Sequence, residues 1–177
     1  MIFYETELPG AFLIDTEAIE DFRGFFARTW CRREFEAHGL NPDLAQANLA
    51  FSRKKDTLRG MHYQIPPFTE TKSVRCLKGA IYDVIIDLRP DSPTYTQWTG
   101  VTLTAENRRM FYIPEGFAHG YQTLADETEV FYQVSQFYAP ECERGIRWDD
   151  PAFSVRWPEA DRPILSEKDA NWPLYSG

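Results

Sequence analysis

Short segments in which apolar and polar residues alternate recur along most of the chain. In the clearest of them, residues 80–89, every second side chain is apolar: Tyr82, Val84, Ile86 and Leu88. Because successive side chains of a strand point to opposite faces, this segment is predicted to be a strand whose apolar face is core. About ten such segments, separated by turns, predict an all-β barrel or sandwich.

Helical patterns are rare in this chain. The segment CRREFEAHG is predicted to be a helix, because Phe35 and His38 share one face and a glycine ends the pattern. Near the carboxy end, Ser166 can cap a short helix in which Asp169 occupies the third position. Two short helices therefore accompany the predicted strands.

The composition is that of a folded protein rich in aromatic rings. Of the 177 residues, 43% are apolar and 15% are aromatic, which suffices for a sizeable core. Since no linker, internal repeat or low-complexity tract interrupts the chain, residues 1–177 are expected to form one domain. Within it, the segment 139–177 is rich in proline and tryptophan and is expected to be mostly irregular.

The net charge limits the partners that can be expected. Asp and Glu number 27 against 19 Lys and Arg, which gives a formal charge of −8. Such a protein repels phosphate backbones and anionic membranes, so neither nucleic-acid binding nor membrane binding is expected. A small anionic ligand remains possible where basic residues converge.

The cysteines and the apolar segments indicate the compartment. Cys31, Cys76 and Cys142 are widely spaced and odd in number, which favours free thiols in a reducing environment. No stretch approaches the roughly 20 apolar residues of a membrane span, and the amino terminus lacks the pattern of a signal peptide. A cytoplasmic location is therefore expected.

The stretch RGMHYQIPPFTETK carries the most reactive combination of side chains. Alternation along its first strand predicts that Leu58 and His62 share one face, while Arg59 lies on the other. After the Pro-Pro break the chain is expected to double back, which brings Lys72 to the same wall as His62. A histidine beside a lysine can carry out proton transfer.

Two further strands carry polar side chains that a barrel interior could use. Gln46 and Asn48 share one face of the strand 45–52. Solvent exposure is the simpler interpretation of such amides, but if that face points into a barrel they become ligand contacts. Along the segment 129–138, Tyr132 and Tyr138 are predicted to point in the same direction.

Two separated patterns, G-x-H-x-Q at 60–64 and P-x-G-x-x-H at 114–119, resemble the signature stretches of the cupin superfamily. The fold of that superfamily is a jelly-roll barrel with its site inside. Many cupins bind a divalent metal through histidines and a carboxylate. Here a glutamine stands at the second histidine position, which leaves only His62, His119 and Glu70 as ligands, so no metal site is expected.

With the flanking residues included, the chain resembles the dTDP-4-dehydrorhamnose 3,5-epimerase family. Blocks in that family's order and approximate spacing are RGMHYQ, K-x-V-R, YDVIIDLRPDSPTY, IPEGFAHGYQTL, VFY, W-D-D-P and ILSEKD. The resemblance implies a cupin-type jelly-roll barrel and an isomerase that inverts C3, C5 or both in a nucleotide-diphosphate 4-keto-6-deoxyhexose. It implies no cofactor, and it implies a homodimer that exchanges amino-terminal strands.

The same resemblance implies roles for individual residues. His62 would be the base, Asp169 the carboxylate that orients it, Lys72 the group that stabilises the enolate, and Tyr132 the acid. Arginines among the implied substrate contacts suit a diphosphate, because the planar guanidinium can bond two oxygens at once. The implied substrate contacts are Arg23, Arg28, Gln46, Asn48, Arg59, His119, Tyr138, Glu143 and Lys168.

The chain departs from the family at two positions. Arg28 stands where many members carry a glutamate able to accept from the ring N–H of thymine, and Gln133 replaces a lysine after Tyr132. Because arginine only donates, Arg28 would suit cytosine N3 better, which raises the hypothesis of a CDP-linked substrate.

Three alternatives accompany the main interpretation. They are an epimerase acting at one centre, on a different nucleotide sugar such as a CDP-linked one; a metal-dependent cupin dioxygenase or isomerase; and a sugar-binding cupin without catalytic activity.

Overall fold

The alternating segments form thirteen strands in the computed structural model, which describes residues 1–176, and two short helices accompany them. The strands are β1 Ile2–Glu5, β2 Phe12–Asp15, β3 Ala18–Asp21, β4 Gly24–Ala27, β5 Gln46–Ser52, β6 Leu58–Gln64, β7 Lys72–Lys78, β8 Ala80–Asp87, β9 Trp98–Thr104, β10 Met110–Ile113, β11 Phe117–Thr123, β12 Thr128–Val134 and β13 Glu143–Gly145. The helices are α1 Arg32–Ala37 and α2 Glu167–Ala170.

Two antiparallel sheets face each other and enclose the main core. One has the order β1-β2-β10-β7-β12-β5, and the other has the order β13-β6-β11-β8-β9. Val74 and Val130 of the first sheet are buried in one cluster with Ile85 and Leu103 of the second. This arrangement is a jelly-roll barrel, and the predicted all-β, cupin-type fold is confirmed.

A second core lies on the outer side of the five-stranded sheet. Val84 and Ile86 of β8 pack there with Phe153 and Trp157 of the carboxy-terminal segment. The predicted apolar face of β8 is therefore core, as expected. The opposite face of β8, which includes Asp83, is buried as well. Both faces are covered because β8 lies between the barrel interior and the carboxy-terminal segment.

The two helices begin and end close to the predicted positions. Phe35 of α1 is buried against Ile14 and Met110, so the helix covers the outer face of the six-stranded sheet. Ser166 caps α2, and its hydroxyl oxygen accepts a hydrogen bond of 3.0 Å from the backbone N–H of Asp169. No helix among residues 1–176 has the length and apolar character needed to cross a membrane.

A register shift in β6 corrects the predicted faces of that strand. His62 lies opposite His119 and Arg59 lies opposite Tyr121, so β6 takes three steps where β11 takes two. The extra residue of this β-bulge reverses the alternation of side chains. Arg59 and His62 consequently both line the barrel interior, whereas Leu58 packs in the outer core.

The prediction that His62 and Lys72 lie on the same wall was wrong. Strand β6 belongs to the five-stranded sheet and β7 to the six-stranded sheet, so the segment 65–71 crosses between them. His62 and Lys72 therefore belong to opposite walls of the barrel and line the same cavity. Proline breaks a strand but does not determine which sheet the next strand joins.

Candidate active site

The barrel interior contains a cavity in two connected parts. The outer part measures about 410 Å³ and the inner part about 180 Å³. Three side chains line both parts: His62, Lys72 and Tyr132. The residues with the greatest capacity for proton transfer thus lie where the two parts meet.

His62 is held by a carboxylate from the far end of the chain. Its Nε2 lies 2.6 Å from Oδ1 of Asp169, which the capped helix α2 carries into the barrel. Burial raises the pKa of Asp169, but hydrogen bonds from His62, Ser166 and Trp172 lower it by more, so this pKa lies below its usual value. The carboxylate is therefore ionised at neutral pH.

This contact determines which nitrogen of His62 can act as a base. An ionised carboxylate only accepts hydrogen bonds, so Nε2 carries the hydrogen and Nδ1 carries the lone pair. Within residues 1–176, Nδ1 has no hydrogen-bond partner, and the ring lines the cavity. The imidazole is thus oriented to take a proton from a molecule bound there.

Lys72 and Tyr132 belong to the sheet opposite His62. The Nζ of Lys72 lies 3.1 Å from Oε1 of Glu70, and both side chains are largely buried. Burial raises the pKa of Tyr132, the charge of Glu70 raises it further, and Arg59 lowers it in part. The phenol therefore remains protonated at neutral pH and can donate a proton across the cavity.

The inner end of the cavity contains two further donors that are held in place. Arg59 donates from Nε to Ser52 Oγ at 3.3 Å and from Nη2 to the backbone oxygen of Phe51 at 3.1 Å. His119 Nε2 lies 2.7 Å from Oδ1 of Asp83, which is fully buried. Sequence reasoning missed Asp83, whose one signal is an acidic residue inside a strongly apolar strand.

Apart from Arg23 and Arg28, the remaining side chains predicted to contact the substrate lie at the mouth of the cavity. Glu143 Oε2 accepts from Tyr138 at 2.8 Å and from Lys168 at 2.5 Å. Burial raises the pKa of Glu143, but these two partners lower it by more, so it remains ionised. Gln46 and Asn48 line the same outer part, so their strand face points into the barrel.

Arg23 and Arg28 lie outside this cavity. Arg23 is at the tip of the β3–β4 hairpin, is largely exposed and pairs with Asp21. Arg28 lies 3.6 Å from Glu34 and lines a separate surface cavity with Phe26. The fold of one chain therefore does not bring these two arginines to the other predicted contacts.

The three residues that the cupin pattern offered as metal ligands have separate partners. His62 contacts Asp169, His119 contacts Asp83, and Glu70 contacts Lys72. Among residues 1–176, no group of three or more His, Cys, Asp or Glu side chains is arranged to hold a metal ion.

Comparisons with known proteins identify the family to which the chain belongs. The family model described as dTDP-4-dehydrorhamnose 3,5-epimerase matches residues 5–176. The enzyme of that name from Methanothermobacter thermautotrophicus is 45% identical over 172 residues, which are 96% of this chain and 92% of the relative.

Solved structures of the same family are closely similar to this fold. The Bacillus anthracis dTDP-4-dehydrorhamnose 3,5-epimerase with TDP and PPi bound has a TM-score of 0.94 at 40% identity, over 98% of this chain and 99% of that one. The Legionella pneumophila dTDP-6-deoxy-D-glucose-3,5-epimerase in complex with dTDP-4-keto-L-rhamnose has a TM-score of 0.91 at 37% identity, over 98% and 92%. The chain therefore belongs to the dTDP-4-dehydrorhamnose 3,5-epimerase family and is an isomerase that epimerises nucleotide sugars.

Proposed function

We propose that the protein inverts C3 and C5 of a dTDP-linked 4-keto-6-deoxyhexose through an enolate. The observation that carries the proposal is the position of His62, backed by Asp169, on the barrel wall opposite Lys72 and Tyr132. Epimerisation requires a base on one face of the sugar and an acid on the other. The nucleotide assignment is supported by the TDP and dTDP-sugar ligands of the two related structures.

The proposed chemistry follows from the acidity of carbon beside a ketone. Nδ1 of His62 takes the proton from C3 or C5, and the electron pair of that C–H bond forms a C=C bond as the C4 oxygen becomes an enolate. The ammonium of Lys72 stabilises this oxygen. The Tyr132 hydroxyl then protonates the carbon from the opposite face, and the ketone re-forms. His62 and Tyr132 regain their starting protonation states by exchange with water.

The remaining contacts divide between the sugar and the nucleotide. Arg59 and His119 line the inner part with the proposed base, which supports a role in holding the sugar. Tyr138 and Glu143 line the wider outer part, and Lys168 bonds to Glu143 there, which supports a role near the diphosphate or nucleoside. An arginine or lysine at either end offsets the negative charge of the ligand.

A homodimer is part of the proposal. The β3–β4 hairpin exposes Ile19, Phe22 and Phe26, the second of which is 99% exposed. Strand β5 is an edge of the six-stranded sheet, and its outward face exposes Leu49 and Phe51. Unpaired edges and apolar patches of this kind favour burial against a second copy. We therefore propose that the hairpin of one chain packs on the barrel of its partner.

Exchange of the hairpin would also account for Arg23 and Arg28. In this proposal each arginine serves the cavity of the other chain. The test is to co-express Arg23→Ala and His62→Ala chains with different tags and to isolate the mixed dimer. One of its two sites then combines an intact His62 with an intact Arg23, so about half of the wild-type activity is expected. No recovery over the parent variants, or a monomer in light scattering, would contradict this arrangement.

Solvent exchange tests the reaction and the nucleotide together. The protein is incubated in deuterium oxide with dTDP- and CDP-4-keto-6-deoxyglucose, and NMR follows deuterium at C3 and C5. We expect deuterium at both carbons, with dTDP preferred; exchange at one carbon would support the single-centre alternative. A preference for CDP would favour the cytosine hypothesis based on Arg28.

Two measurements address the remaining alternatives. A stoichiometric metal in the purified protein would contradict the cofactor-free proposal, and His62→Ala protein that still exchanges deuterium would rule out His62 as the base.

We further propose that residues 1–177 act as one domain in the cytoplasm, where the free thiols of Cys31, Cys76 and Cys142 are expected to persist.

A further inference from the structure

Trp172 lies behind the His62–Asp169 pair and contacts both members. Its Nε1–H donates to Oδ1 of Asp169 at 3.3 Å, and the same oxygen accepts from His62. The indole and imidazole rings meet edge to face, with centroids 6.1 Å apart. Trp172 does not line either part of the cavity, so these contacts reach a bound sugar only through the pair.

The surrounding backbone is shaped for this indole. Gly145 of β13 lies directly opposite His62 of β6, and an added Cβ at Gly145 would overlap Cδ2 and Cε2 of Trp172. Beyond the ring, the backbone oxygen of Pro173 accepts from Arg147 N–H at 3.0 Å. Tyr175 N–H then donates to Asp150 at 2.6 Å. The residues that follow Trp172 in the chain are thus held in place by two hydrogen bonds.

We propose that Trp172 is a positioning residue that sets the orientation and the proton affinity of the His62–Asp169 pair. The Trp172 N–H and the His62 ring bond the same oxygen of Asp169. The bond from Trp172 therefore weakens the hydrogen bond between that oxygen and the protonated imidazole. The Trp172 ring, seated on Gly145, also keeps the carboxylate from rotating. The expected effect on the reaction rate rests on the role proposed for His62, whereas the effect on the pair itself does not.

Other charged and titratable groups face the pair and remain unchanged in the variants below. They are Glu143 on β13, Lys168 on α2, Arg59 and His119 on the same sheet as His62, and Lys72 and Tyr132 on the opposite sheet, with Glu70 beside Lys72. Lys168 also places its ammonium 5.4 Å from the centre of the indole ring. A change in titration that follows a change at position 172 alone can therefore be assigned to the indole.

The test separates the donor from the ring. Trp172→Phe keeps an aromatic ring and removes the N–H, so the carboxylate holds the proton on His62 more strongly. We expect the acid limb of kcat against pH to move to higher pH by about half a unit, with KM unchanged. Trp172→Gln keeps a donor but loses the ring. We expect its acid limb to stay near that of the wild type while kcat falls at every pH.

Gly145 provides a second route to the same contact. Gly145→Ala should displace the indole and lower kcat, whereas the same change in a Trp172→Ala background should lower it no further. Trp157→Phe is the matched control, because the Trp157 N–H bonds to the backbone oxygen of Trp148 in the outer core, away from the cavity. It is expected to lower the melting temperature and leave the pH profile unchanged.

NMR titration of the His62 ring reports the effect whether or not His62 is the base. A midpoint that moves to higher pH in Trp172→Phe supports the inference. If that movement occurs without a change in the rate profile, the inference stands and the role of His62 as the base fails. The inference is overturned if the midpoint of the His62 titration does not move in Trp172→Phe. It is also overturned if Trp157→Phe alters the dependence of kcat on pH by the same amount. If Trp172→Phe does not fold, a kcat in Gly145→Ala equal to that of the wild type overturns it as well.

Discussion

His62 and Asp169 are joined by a hydrogen bond of 2.6 Å, although 107 positions separate them in the chain. The bond links β6 of the barrel to the last helix, so the proposed base is complete only when the carboxy-terminal segment has docked. Assembly of the site therefore requires the carboxy-terminal segment to be folded against the barrel.

Replacement of Asp169 tests the link directly. In Asp169→Asn the amide N–H₂ can donate to Nε2 of His62, which moves the ring hydrogen to Nδ1 and removes the lone pair from the cavity. We expect kcat to fall by about 10²- to 10⁴-fold with little change in KM. Asp149→Asn is the control, since this exposed carboxylate pairs with Arg147. A fall in both variants would point to a general loss of structure.

Replacement of Tyr132 should separate two reactions that normally occur together. In Tyr132→Phe, His62 can still remove and return a proton on its own face, so solvent deuterium should still enter the sugar. Inversion should fall by about 10²-fold or more, because the opposite face lacks its acid. NMR measures both in one sample, with the exposed Tyr4→Phe as control. Equal losses of exchange and inversion would contradict the assignment of Tyr132 as the acid.

Replacement of Lys72 should lower solvent exchange and inversion together, unlike replacement of Tyr132. Without the ammonium the enolate is less stable, so in Lys72→Met exchange and inversion are expected to fall together, by about 10²- to 10³-fold. Lys78→Met is a matched control at the other end of β7, where the side chain is exposed and pairs with Glu127. If exchange persisted at the wild-type rate, Lys72 could not be the group that stabilises the enolate.

The low pKa of Asp87 predicts how the free energy of unfolding depends on pH. Burial raises its pKa, but hydrogen bonds from Arg89, Ser92 and Thr94 lower it by more, to about 2. Because the folded pKa lies below the usual value of about 3.9, Asp87 stabilises the fold above pH ~4, and this contribution is lost as pH falls towards 2.

The measurement is the free energy of unfolding against pH in urea. Asp87→Asn should destabilise the protein by roughly 2 kcal/mol at neutral pH, since it leaves the half-buried guanidinium of Arg89 without its charged partner. It should also flatten the acid side of the curve. Asp91→Asn, on an exposed position of the same loop, should change neither. An unchanged acid limb in Asp87→Asn would contradict the prediction.

Much of the fold followed from local patterns in the sequence. The period-two alternation of β8 and the capping serine of α2 act over a few residues, so both were predicted correctly. The ordered motif blocks indicated the family, which the comparisons confirm. The segment predicted to run as one strand to Tyr138 ends at Val134, because the chain turns there towards the mouth of the cavity.

What only the tertiary structure decided depends on contacts between distant segments. The bulge that turns Arg59 and His62 to the same side arises from the pairing of β6 with β11. The assignment of Lys72 to the wall opposite His62 depends on which sheet β7 joins. Burial of Asp83 beside His119 and seating of Trp172 on Gly145 likewise require both partners to be in place. Alternation is a property of neighbouring residues, whereas register and docking are chosen by the whole core.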